Sequence, residues 1–252
     1  MKKIIVIPAR LSSTRLANKL LLDLKGKTIL QRVYEQCKKV KDVIVYIATD
    51  SLEIKKSSLE YTKNIIMTSN EHKSGTDRIT EAVKDLDYEV LINVQGDEPF
   101  INPSLINDLF QVLQDEKVKV ATVCEKVSLA KELFDPNIVK LVKDNSGYAL
   151  YFSRSCIPFI RDNSKLLSDE KKYLKTSIFY KHVGIYGYKK DFLNRYSFLN
   201  FSNLEKIEVL EQLRILESGF KIKVLETRFK SLGIDTKEDY NKALKMITND
   251  IQ

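Results

Sequence analysis

Three cations follow a short apolar run near the start of the chain. Ile4–Ile7 has the continuous branched apolar pattern of a strand buried on both faces. Arg10, Arg15 and Lys19 fall within one stretch of ten residues shortly after it, together with two serines and a threonine. Cations, hydroxyls and backbone N–H groups beyond a buried strand suit a phosphate-rich ligand. An ordinary basic surface loop would have the same composition, so the other motifs of the chain must decide between the two interpretations.

Two aspartates stand just beyond predicted strands or turns. Asp97 follows the buried strand predicted at Val90–Val94, and Asp235 follows Gly233. Each alone could be a cap, Asp97 of its turn and Asp235 of a helix, because aspartate commonly accepts backbone N–H groups at such positions. As a pair close to the cationic loop, however, they could hold Mg²⁺, which prefers carboxylates together with substrate phosphates.

Glu211 is out of place on a predicted helix. The apolar spacing predicts one helix over Leu204–Gly219, and Glu211 falls on the same stripe as Leu204, Ile207 and Ile215. A carboxylate among apolar neighbours is costly unless it has a partner. Glu211 is therefore expected to meet a buried cation or to face a ligand pocket.

Arg154 and His182 are two further candidates, each with a structural alternative. Arg154 ends an aromatic strand, where a guanidinium can hold a carboxylate with two parallel hydrogen bonds; a structural salt bridge is equally compatible. His182 lies on a predicted strand, with Tyr186 on the same face by the period of two. A single histidine in a strand is more often structural than catalytic.

The elements that must position these side chains alternate between strands and amphipathic helices, which is typical of an α/β fold. The first strand is expected to end at Pro8, because proline cannot donate to a sheet. Ser74 or Thr76 can cap the helix that follows the third strand, and Gly75 allows close backbone approach. Successive strands end in polar loops, which share the carboxyl edge of an open parallel sheet, where ligands bind. Beyond about residue 118 the pattern predicts mixed or antiparallel sheet.

The bulk composition narrows the class of protein. The chain has 252 residues, a net charge of +8 and scattered lysines, so charge alone is weak evidence for nucleic-acid binding. Three cysteines lie far apart and lack metal-ligand spacing, which suits a reducing compartment. The apolar run after the first lysines is too short for a signal peptide, and no stretch approaches a membrane span. We expect a cytoplasmic protein with no nucleic-acid partner and no membrane insertion.

Seven motifs together resemble the sugar nucleotidyltransferases and, within them, the family of 3-deoxy-manno-octulosonate (Kdo) cytidylyltransferases, or CMP-Kdo synthetases. The resemblance spans about residues 3–245. In chain order the motifs are Pro8-Ala9-Arg10 with Ser13-Thr14-Arg15-Leu16 and Lys19, Ser74-Gly75-Thr76-Asp77-Arg78, Asn93-Val94-Gln95-Gly96-Asp97-Glu98-Pro99, Tyr148-Ala149-Leu150-Tyr151-Phe152-Ser153-Arg154, Gly184-Ile185-Tyr186-Gly187-Tyr188, Leu210-Glu211-Gln212-Leu213-Arg214 and Gly233-Ile234-Asp235-Thr236. The chain has Ala17-Asn18 where the family usually has Pro-Gly, and Lys206 where a histidine is common.

The resemblance implies an α/β, Rossmann-like nucleotidyltransferase fold: a central, mostly parallel sheet with helices on both faces, and a smaller mixed-sheet subdomain. It implies one domain over residues 1–252, with a nucleotide-binding half to about residue 120, a sugar-binding and dimerisation part over about 121–235 and a C-terminal helix over 236–252. It further implies a homodimer that depends on Mg²⁺ and converts CTP and Kdo into CMP-Kdo and diphosphate for lipopolysaccharide assembly.

The resemblance also assigns roles to residues of this sequence. The catalytic set would hold the triphosphate and Mg²⁺, with the aspartates as metal ligands: Arg10, Arg15, Lys19, Asp97 and Asp235. The nucleotide would further contact Pro8, Ala9, Ser13, Ser74, Gly75, Arg78 and Gln95. Arg154 would hold the sugar carboxylate, and the sugar hydroxyls would meet Gln95, His182, Tyr186, Glu211 and Gln212.

Other functions remain open from the sequence. The sugar could instead be the 8-amino analogue of Kdo or another acidic sugar. A nucleotide-binding or nucleic-acid-binding module without catalysis is a second class, suggested by the basic charge, and a purely structural interaction protein is a third. The lysine- and serine-rich stretch Arg161–Thr176 could be a lid over the site or a disordered loop.

Overall fold

Nine strands form one sheet in the computed structural model, which describes residues 1–11, 15–72, 74–161, 179–230 and 232–249. The strands are β1 Lys3–Ala9, β2 Ile44–Thr49, β3 Ile65–Met67, β4 Val90–Asn93, β5 Val120–Lys126, β6 Lys140–Lys143, β7 Ala149–Ser153, β8 Tyr180–Lys189 and β9 Ile222–Thr227. The helices within the described ranges are α1 Ile29–Lys38, α2 Leu52–Ser58, α3 Gly75–Val83, α4 Pro103–Val112, α5 Ala130–Phe134, α6 Lys190–Tyr196, α7 Asn203–Glu208, α8 Gln212–Glu217 and α9 Lys237–Asn249. Ser13 and nearly all of the stretch predicted as a lid lie outside the described residues.

The sheet is mostly parallel, as predicted. Its main path runs β3-β2-β1-β4-β8-β5-β9, and of these seven strands β8 alone runs opposite to the others. The mixed part predicted beyond residue 118 is a continuation of this sheet, because the β6–β7 hairpin pairs with β8. The carboxyl ends of β1, β2, β3 and β4 consequently share one edge, where parallel α/β sheets bind ligands.

Helices cover both faces of the sheet, because successive side chains of a strand point to opposite faces. In β1, Ile5 and Ile7 pack into a core with α1 and α4, whereas Ile4 and Val6 pack into a second core with α3, α6 and α8. A strand buried on both faces needs apolar residues without alternation. The run at the start of the chain meets that requirement.

Strand β1 continues past Pro8 to Ala9, so the prediction that it ends at Pro8 is wrong. The Val94 N–H donates to the Val6 carbonyl at 3.1 Å. In β1, the backbone N–H and C=O groups of even-numbered residues therefore point toward β4. Pairing with β4 stops at Asn93. The missing N–H of Pro8 therefore faces a position beyond the end of β4, and the strand loses no hydrogen bond there.

The predicted helix Leu204–Gly219 is two helices. Val209 has left-handed φ and ψ of 54° and 51° and separates α7 from α8. Ile207 is 77% exposed, so it does not share a buried stripe with Ile215. The break turns Leu210 into the core and places Glu211 at the start of α8. Periodicity missed it because no glycine or proline marks the position.

The C-terminal helix α9 packs against the segment that follows β1. Ala243 and Ile247 of α9 form a small core with Leu24 and Ile29, and Ile234 completes it. This packing carries residues 232–236 to the carboxyl edge of the sheet. No helix among the described residues is long and apolar enough to cross a membrane.

Candidate functional site

A cavity of about 330 Å³ lies at the carboxyl edge of the sheet, beyond β1 and β4. We call it the cationic cavity, because three cations contribute to its wall. Its lining residues are Pro8, Arg10, Arg15, Lys19, Leu20, Gly75, Gln95, Gly96, Asp97 and Asp235. The structure thus brings together eight of the predicted site residues from four separate parts of the chain.

The centre of the cationic cavity is an ion-pair network around Lys19. The Lys19 Nζ lies 2.5 Å from Asp97 Oδ2 and 2.7 Å from Asp235 Oδ1, and Arg15 Nη2 lies 3.1 Å from Asp235 Oδ2. Burial by itself lowers the pKa of Lys19, but the two carboxylates outweigh burial and the pKa is raised. The ammonium is therefore charged, and the two aspartates converge on one cationic point.

Asp235 does not cap α9. Thr236 accepts the Asp239 N–H at 3.2 Å, and the Asp239 carboxylate in turn accepts the Thr236 N–H at 3.2 Å. Such reciprocal bonds form a capping box. They leave the Asp235 carboxylate to Lys19 and Arg15. The Asp97 carbonyl accepts the Ile234 N–H at 2.9 Å, which ties the turn after β4 to the segment that carries Asp235.

Glu98 is a third carboxyl group beside this network that the sequence analysis did not single out. Burial first, and then the charges of Asp97 and Asp235, raise its pKa to about 8. Its Oε1 would lie only 3.1 Å from a Cβ on Gly233, so the absence of a side chain there allows the contact. The signal available in the sequence was its place directly after Asp97.

Two backbone features shape the loop after β1. Asn18 adopts left-handed φ and ψ of 50° and 31°, which asparagine tolerates better than most residues. It stands where the resembled family usually has glycine, and a short 3₁₀ helix over Lys19–Leu21 follows. A Cβ on Gly96 would lie 3.2 Å from the Pro8 carbonyl oxygen. Gly96 thus lets the turn after β4 lie directly against β1.

Arg10 connects β1 with the segment that precedes α3. Its Nη2 donates to the carbonyls of His72 at 2.6 Å and Ser74 at 3.1 Å. Burial and then the charge of Arg78 lower the pKa of Arg10. Ser74 caps α3, as predicted, by accepting the Asp77 N–H at 3.0 Å.

A second cavity of about 390 Å³ adjoins the first. We call it the acidic cavity, because it contains two glutamates. Its lining residues are Ser74, Gly75, Gln95, Phe201, Glu205, Val209, Leu210, Glu211 and Gln212. Gly75 and Gln95 line both cavities, so ligands in the two would lie against each other. Glu205 was missed from the sequence, where it reads only as the acidic partner in the capping box of α7.

Glu211 has the polar surroundings that its unusual place in the sequence suggested. Its Oε2 accepts the Thr76 N–H at 3.3 Å, and the Thr76 hydroxyl is 3.4 Å from Tyr188 Oη. Burial raises the pKa of the Glu211 carboxyl. Of the two possibilities, a buried cation or a ligand pocket, the position of Glu211 on the cavity wall favours the pocket.

Arg154 and Arg78 lie behind the cavity walls. The Arg154 guanidinium donates to the carbonyls of Glu208 at 2.8 Å and Pro136 at 2.9 Å, and its Nη2 is 3.4 Å from the carbonyl of Val209, which lines the acidic cavity. Arg78 is fully buried, and its guanidinium contacts Asp50 and Thr68. Arg154 thus contacts a residue of the acidic cavity wall, whereas the partners of Arg78 line neither cavity. Direct contact of either arginine with ligand stays a prediction.

Tyr186 and Ala9 are buried and His182 is partly buried, and all three lie outside the two cavity linings. The His182 ring contacts Tyr186, with centroids 5.2 Å apart, and its Nε2 is 3.0 Å from Thr122 Oγ1. Burial lowers the pKa of His182 to about 3, so the ring is neutral at pH 7. Ala9 belongs to the core beneath the cationic cavity. These features agree with the structural alternative for His182.

Comparison with known proteins identifies the class. The family model described as cytidylyltransferase matches residues 4–223. A 3-deoxy-manno-octulosonate cytidylyltransferase of Francisella tularensis subsp. holarctica is 46% identical over 96% of this chain and 97% of its own length. One of the same name from Trichlorobacter lovleyi is 44% identical with the same coverage.

Solved structures agree. The structure of CMP:2-keto-3-deoxy-manno-octonic acid synthetase complexed with CTP superposes with a TM-score of 0.90 and 38% identity, over 99% of this chain and 100% of that one. A 4-diphosphocytidyl-2C-methyl-D-erythritol synthase from Anaerococcus prevotii, 16% identical over 98% of this chain and 96% of its own, shares the fold with a TM-score of 0.61.

The fold, and the two cavities that share Gly75 and Gln95, are those of a nucleotidyltransferase. The chain belongs to the cytidylyltransferase family. The family resemblance, the enzyme class and the fold class predicted from the motifs are thereby confirmed.

Proposed function

We propose that this enzyme transfers CMP from CTP to the anomeric hydroxyl of Kdo and releases diphosphate. The observation that carries the proposal is the pair of adjoining cavities, because one has the cations that a triphosphate needs and the other the polar groups that a polyhydroxylated sugar needs. Full-length relatives at 44–46% identity bear the name of that reaction. Since they are named for the unmodified acid, the 8-amino sugar is not favoured as the substrate.

In the proposed mechanism, the sugar hydroxyl attacks the α-phosphorus of CTP in line with the departing diphosphate. The new bond joins the anomeric oxygen to phosphorus, the bond to the diphosphate oxygen breaks, and the hydroxyl proton passes to solvent. Arg10, Arg15 and Lys19 hold the triphosphate and stabilise the negative charge that develops on the leaving diphosphate. Catalysis then rests on positioning and on charge stabilisation, without a covalent intermediate.

We propose Mg²⁺ as the cofactor, held by Asp97 and Asp235. The fit rests on the donor set: oxygens of both aspartates lie within 2.7 Å of one atom, Lys19 Nζ, so both reach one cationic point. No group of three or more metal-ligating side chains occurs among the described residues, so phosphate oxygens and water would complete the coordination. When bound there, Mg²⁺ would neutralise phosphate charge and lower the pKa of the attacking hydroxyl.

For the sugar, we propose contacts from Gln95, Glu211 and Gln212. All three line the acidic cavity, and Gln95 also lines the cationic cavity, where it can touch both substrates. Lys206 stands near the same wall, with its Nζ 5.7 Å from the ring centroid of Phe201. Lys206 thus adds a cation beside a cavity that is lined by the carboxylates of Glu205 and Glu211.

The proposal extends to a cytoplasmic homodimer that supplies CMP-Kdo for lipopolysaccharide assembly. The large apolar side chains of Ile207 and Val209 are 77% and 74% exposed, which is consistent with a surface that a second copy covers. Light scattering of the purified protein measures the oligomeric state directly.

Purified enzyme with CTP, Kdo and Mg²⁺ should release diphosphate. Asp97→Asn and Asp235→Asn should each lower turnover by about 10²-fold or more, because each removes a carboxylate from the charge network. They should also weaken Mn²⁺ binding, followed by electron paramagnetic resonance. Asp191→Asn is the matched control, because Asp191 pairs with Lys119 at the surface outside both cavities.

Turnover of both aspartate variants within a few fold of the unmodified enzyme would contradict the catalytic assignment. A nucleotide-binding module would instead be supported if the unmodified protein bound CTP but released no diphosphate with any acidic sugar. Release of diphosphate with another acidic sugar but not with Kdo would retain the class and reject the proposed substrate.

A further inference from the structure

Arg214 belongs to one of the motifs quoted above but has no role in the mechanism. It is a buried residue of α8, 5% exposed, and it forms a fork with Glu205 of α7. Its Nε lies 2.7 Å from Glu205 Oε2 and its Nη2 lies 2.6 Å from Glu205 Oε1. Two parallel charge-assisted bonds fix the guanidinium plane as well as its position.

Two aromatic rings hold the same guanidinium. The Arg214 Cζ lies 4.9 Å from the ring centroid of Tyr196 and 5.0 Å from that of Phe201. Cation–π contacts of this kind strengthen when water is excluded. Phe201 also lines the acidic cavity, so Arg214 supports that wall through a ring as well as through Glu205.

The remaining nitrogen of the guanidinium reaches a different part of the chain. Arg214 Nη1 lies 3.3 Å from Asp77 Oδ1 in the first turn of α3, 137 residues away in sequence. The other oxygen of Asp77 accepts the Ser74 hydroxyl at 2.7 Å. A continuous chain of polar contacts therefore runs from Glu205 through Arg214 and Asp77 to Ser74.

Both ends of this chain lie on the acidic cavity. Ser74 lies next to Gly75, which lines both cavities, whereas Glu205 and Phe201 form the α7 side. Arg214 itself does not line either cavity. It contacts Glu205 on one side and Asp77 on the other from outside the cavity.

We propose that Arg214 is a positioning residue that aligns the sugar with the α-phosphorus of CTP by bracing the α3 side of the acidic cavity against its α7–α8 side. The inference rests on the proposed function. The proposed role of Arg214 predicts different effects on CTP binding and on sugar binding. CTP is held by the cations of the loop after β1, which Arg214 does not contact, whereas the sugar depends on the relative position of the two walls. The Arg214–Asp77 contact and the hydrogen bond from the Thr76 N–H to Glu211 both join these walls.

The test compares sugar kinetics with CTP affinity in Arg214→Lys. Lysine retains the charge but not the fork, so it can satisfy Glu205 or Asp77 but not both. We expect kcat/KM for Kdo to fall on the order of 10- to 100-fold, because small errors in alignment are costly. The CTP dissociation constant, from calorimetry without sugar, should stay within about threefold of that of the unmodified enzyme, because its cationic ligands are untouched.

Asp77→Ala provides a second variant if Arg214→Lys does not fold. It leaves the Arg214–Glu205 pair intact, and Ser74 can still accept the Asp77 N–H and cap α3. It removes the Arg214–Asp77 link between the walls together with the hydrogen bond that the Ser74 hydroxyl donates to Asp77. Asp77→Ala should reproduce the fall in kcat/KM for Kdo. In the double variant the two losses should be less than additive, because both break one connection.

Leu109→Ala is the control for lost stability. Leu109 is fully buried in α4, in the core on the other face of the sheet. It should lower thermal stability and leave kcat/KM for Kdo unchanged. The proposal is overturned if Leu109→Ala gives the same kinetic loss, if the brace variants keep normal Kdo kinetics, or if they weaken CTP binding as much as they impair Kdo. Failure of the unmodified enzyme to use Kdo would instead reject the proposed function.

Discussion

At the scale of single residues, the site is a balance of charges from distant parts of the chain. Lys19 lies between Asp97 and Asp235, which are 78 and 216 residues further along the chain. Each charge offsets the desolvation of its neighbours, because a buried ion is costly unless it has partners. Because the partners of Asp97 and Asp235 lie far away in the sequence, neither aspartate could be distinguished from a simple cap by its own sequence neighbours.

His182 illustrates a residue whose environment, and not its type, determines its behaviour. Its pKa is lowered to about 3 by burial, against an ordinary value of 6.5. As the pH falls below 6.5 the unfolded chain takes up a proton that the native ring does not bind until about pH 3. The unfolded state is then favoured, so the free energy of unfolding decreases with falling pH in this window.

His182→Gln should remove that dependence and can retain a hydrogen bond to Thr122. We expect the variant to be less stable at pH 7, because it loses the ring contacts with Phe152 and Tyr186. Between pH 7 and pH 5 the difference from the unmodified protein should narrow by about 2 kcal/mol. Urea unfolding at pH 7 and pH 5 measures the free energy of unfolding of both proteins and so the change in their difference. An equal difference at both would show that His182 titrates normally in the folded protein.

At the scale of elements, Gly187 of strand β8 allows the end of helix α4 to pack closely on the sheet. It lies between β4 and β5, and Gly187 faces Ile92 on one side and Ala121 on the other in the strand register. A Cβ on Gly187 would lie 2.6 Å from Leu113 Cδ1 and 2.9 Å from Ile92 Cδ1. The absence of a side chain is what lets Leu113, at the end of α4, pack directly on this strand.

Gly187→Ala should therefore destabilise the protein by about 1–3 kcal/mol, as overpacking of a core does. The loss appears as a lower Tm in differential scanning calorimetry. Gly184→Ala in the same strand is the matched control, because the nearest atom to its Cβ would be Gln95 Cγ at an ordinary 3.7 Å. Similar Tm losses in the two variants would point to glycine flexibility in β8 and not to the contact with α4.

At the scale of the whole molecule, the cationic cavity joins the beginning, middle and end of the chain. The loop after β1 supplies the cations, the turn after β4 supplies Asp97, and α9 packs on Leu24 and Ile29 to bring Asp235 into place. A ligand at this cavity consequently contacts three parts of the chain at once.

CTP with Mg²⁺ should stabilise all three parts together. At 100 times its dissociation constant, CTP should raise the free energy of unfolding by about 2.7 kcal/mol, because it binds only the folded state. Hydrogen exchange should slow in residues 15–21, 94–98 and 232–236 at the same time. ATP serves as the control nucleotide. Slower exchange in only one of these segments would contradict a single cavity formed by all three.

The sequence by itself determined the class of fold and indicated most of the residues that line the cationic cavity. Apolar runs and helical periodicity depend on local spacing, which is why α/β alternation, the buried character of β1 and the cap at Ser74 were predicted correctly. The polar loops after successive strands indicated the ligand edge, since parallel strands must place those loops together. Most of the eight predicted residues that line the cationic cavity do so for that reason, whereas Asp235 is brought there by the packing of α9.

Only the tertiary structure decided which polar residues line the cavities and which lie outside the linings. Arg154 and Arg78 are engaged by carbonyls or by Asp50 and Thr68, and no local pattern distinguishes such partners from a ligand. The break at Val209 depends on packing around Leu210 and Glu211, so periodicity predicted one helix where there are two. The brace through Arg214 joins residues 137 positions apart, and a contact of that separation exists only once the sheet has formed.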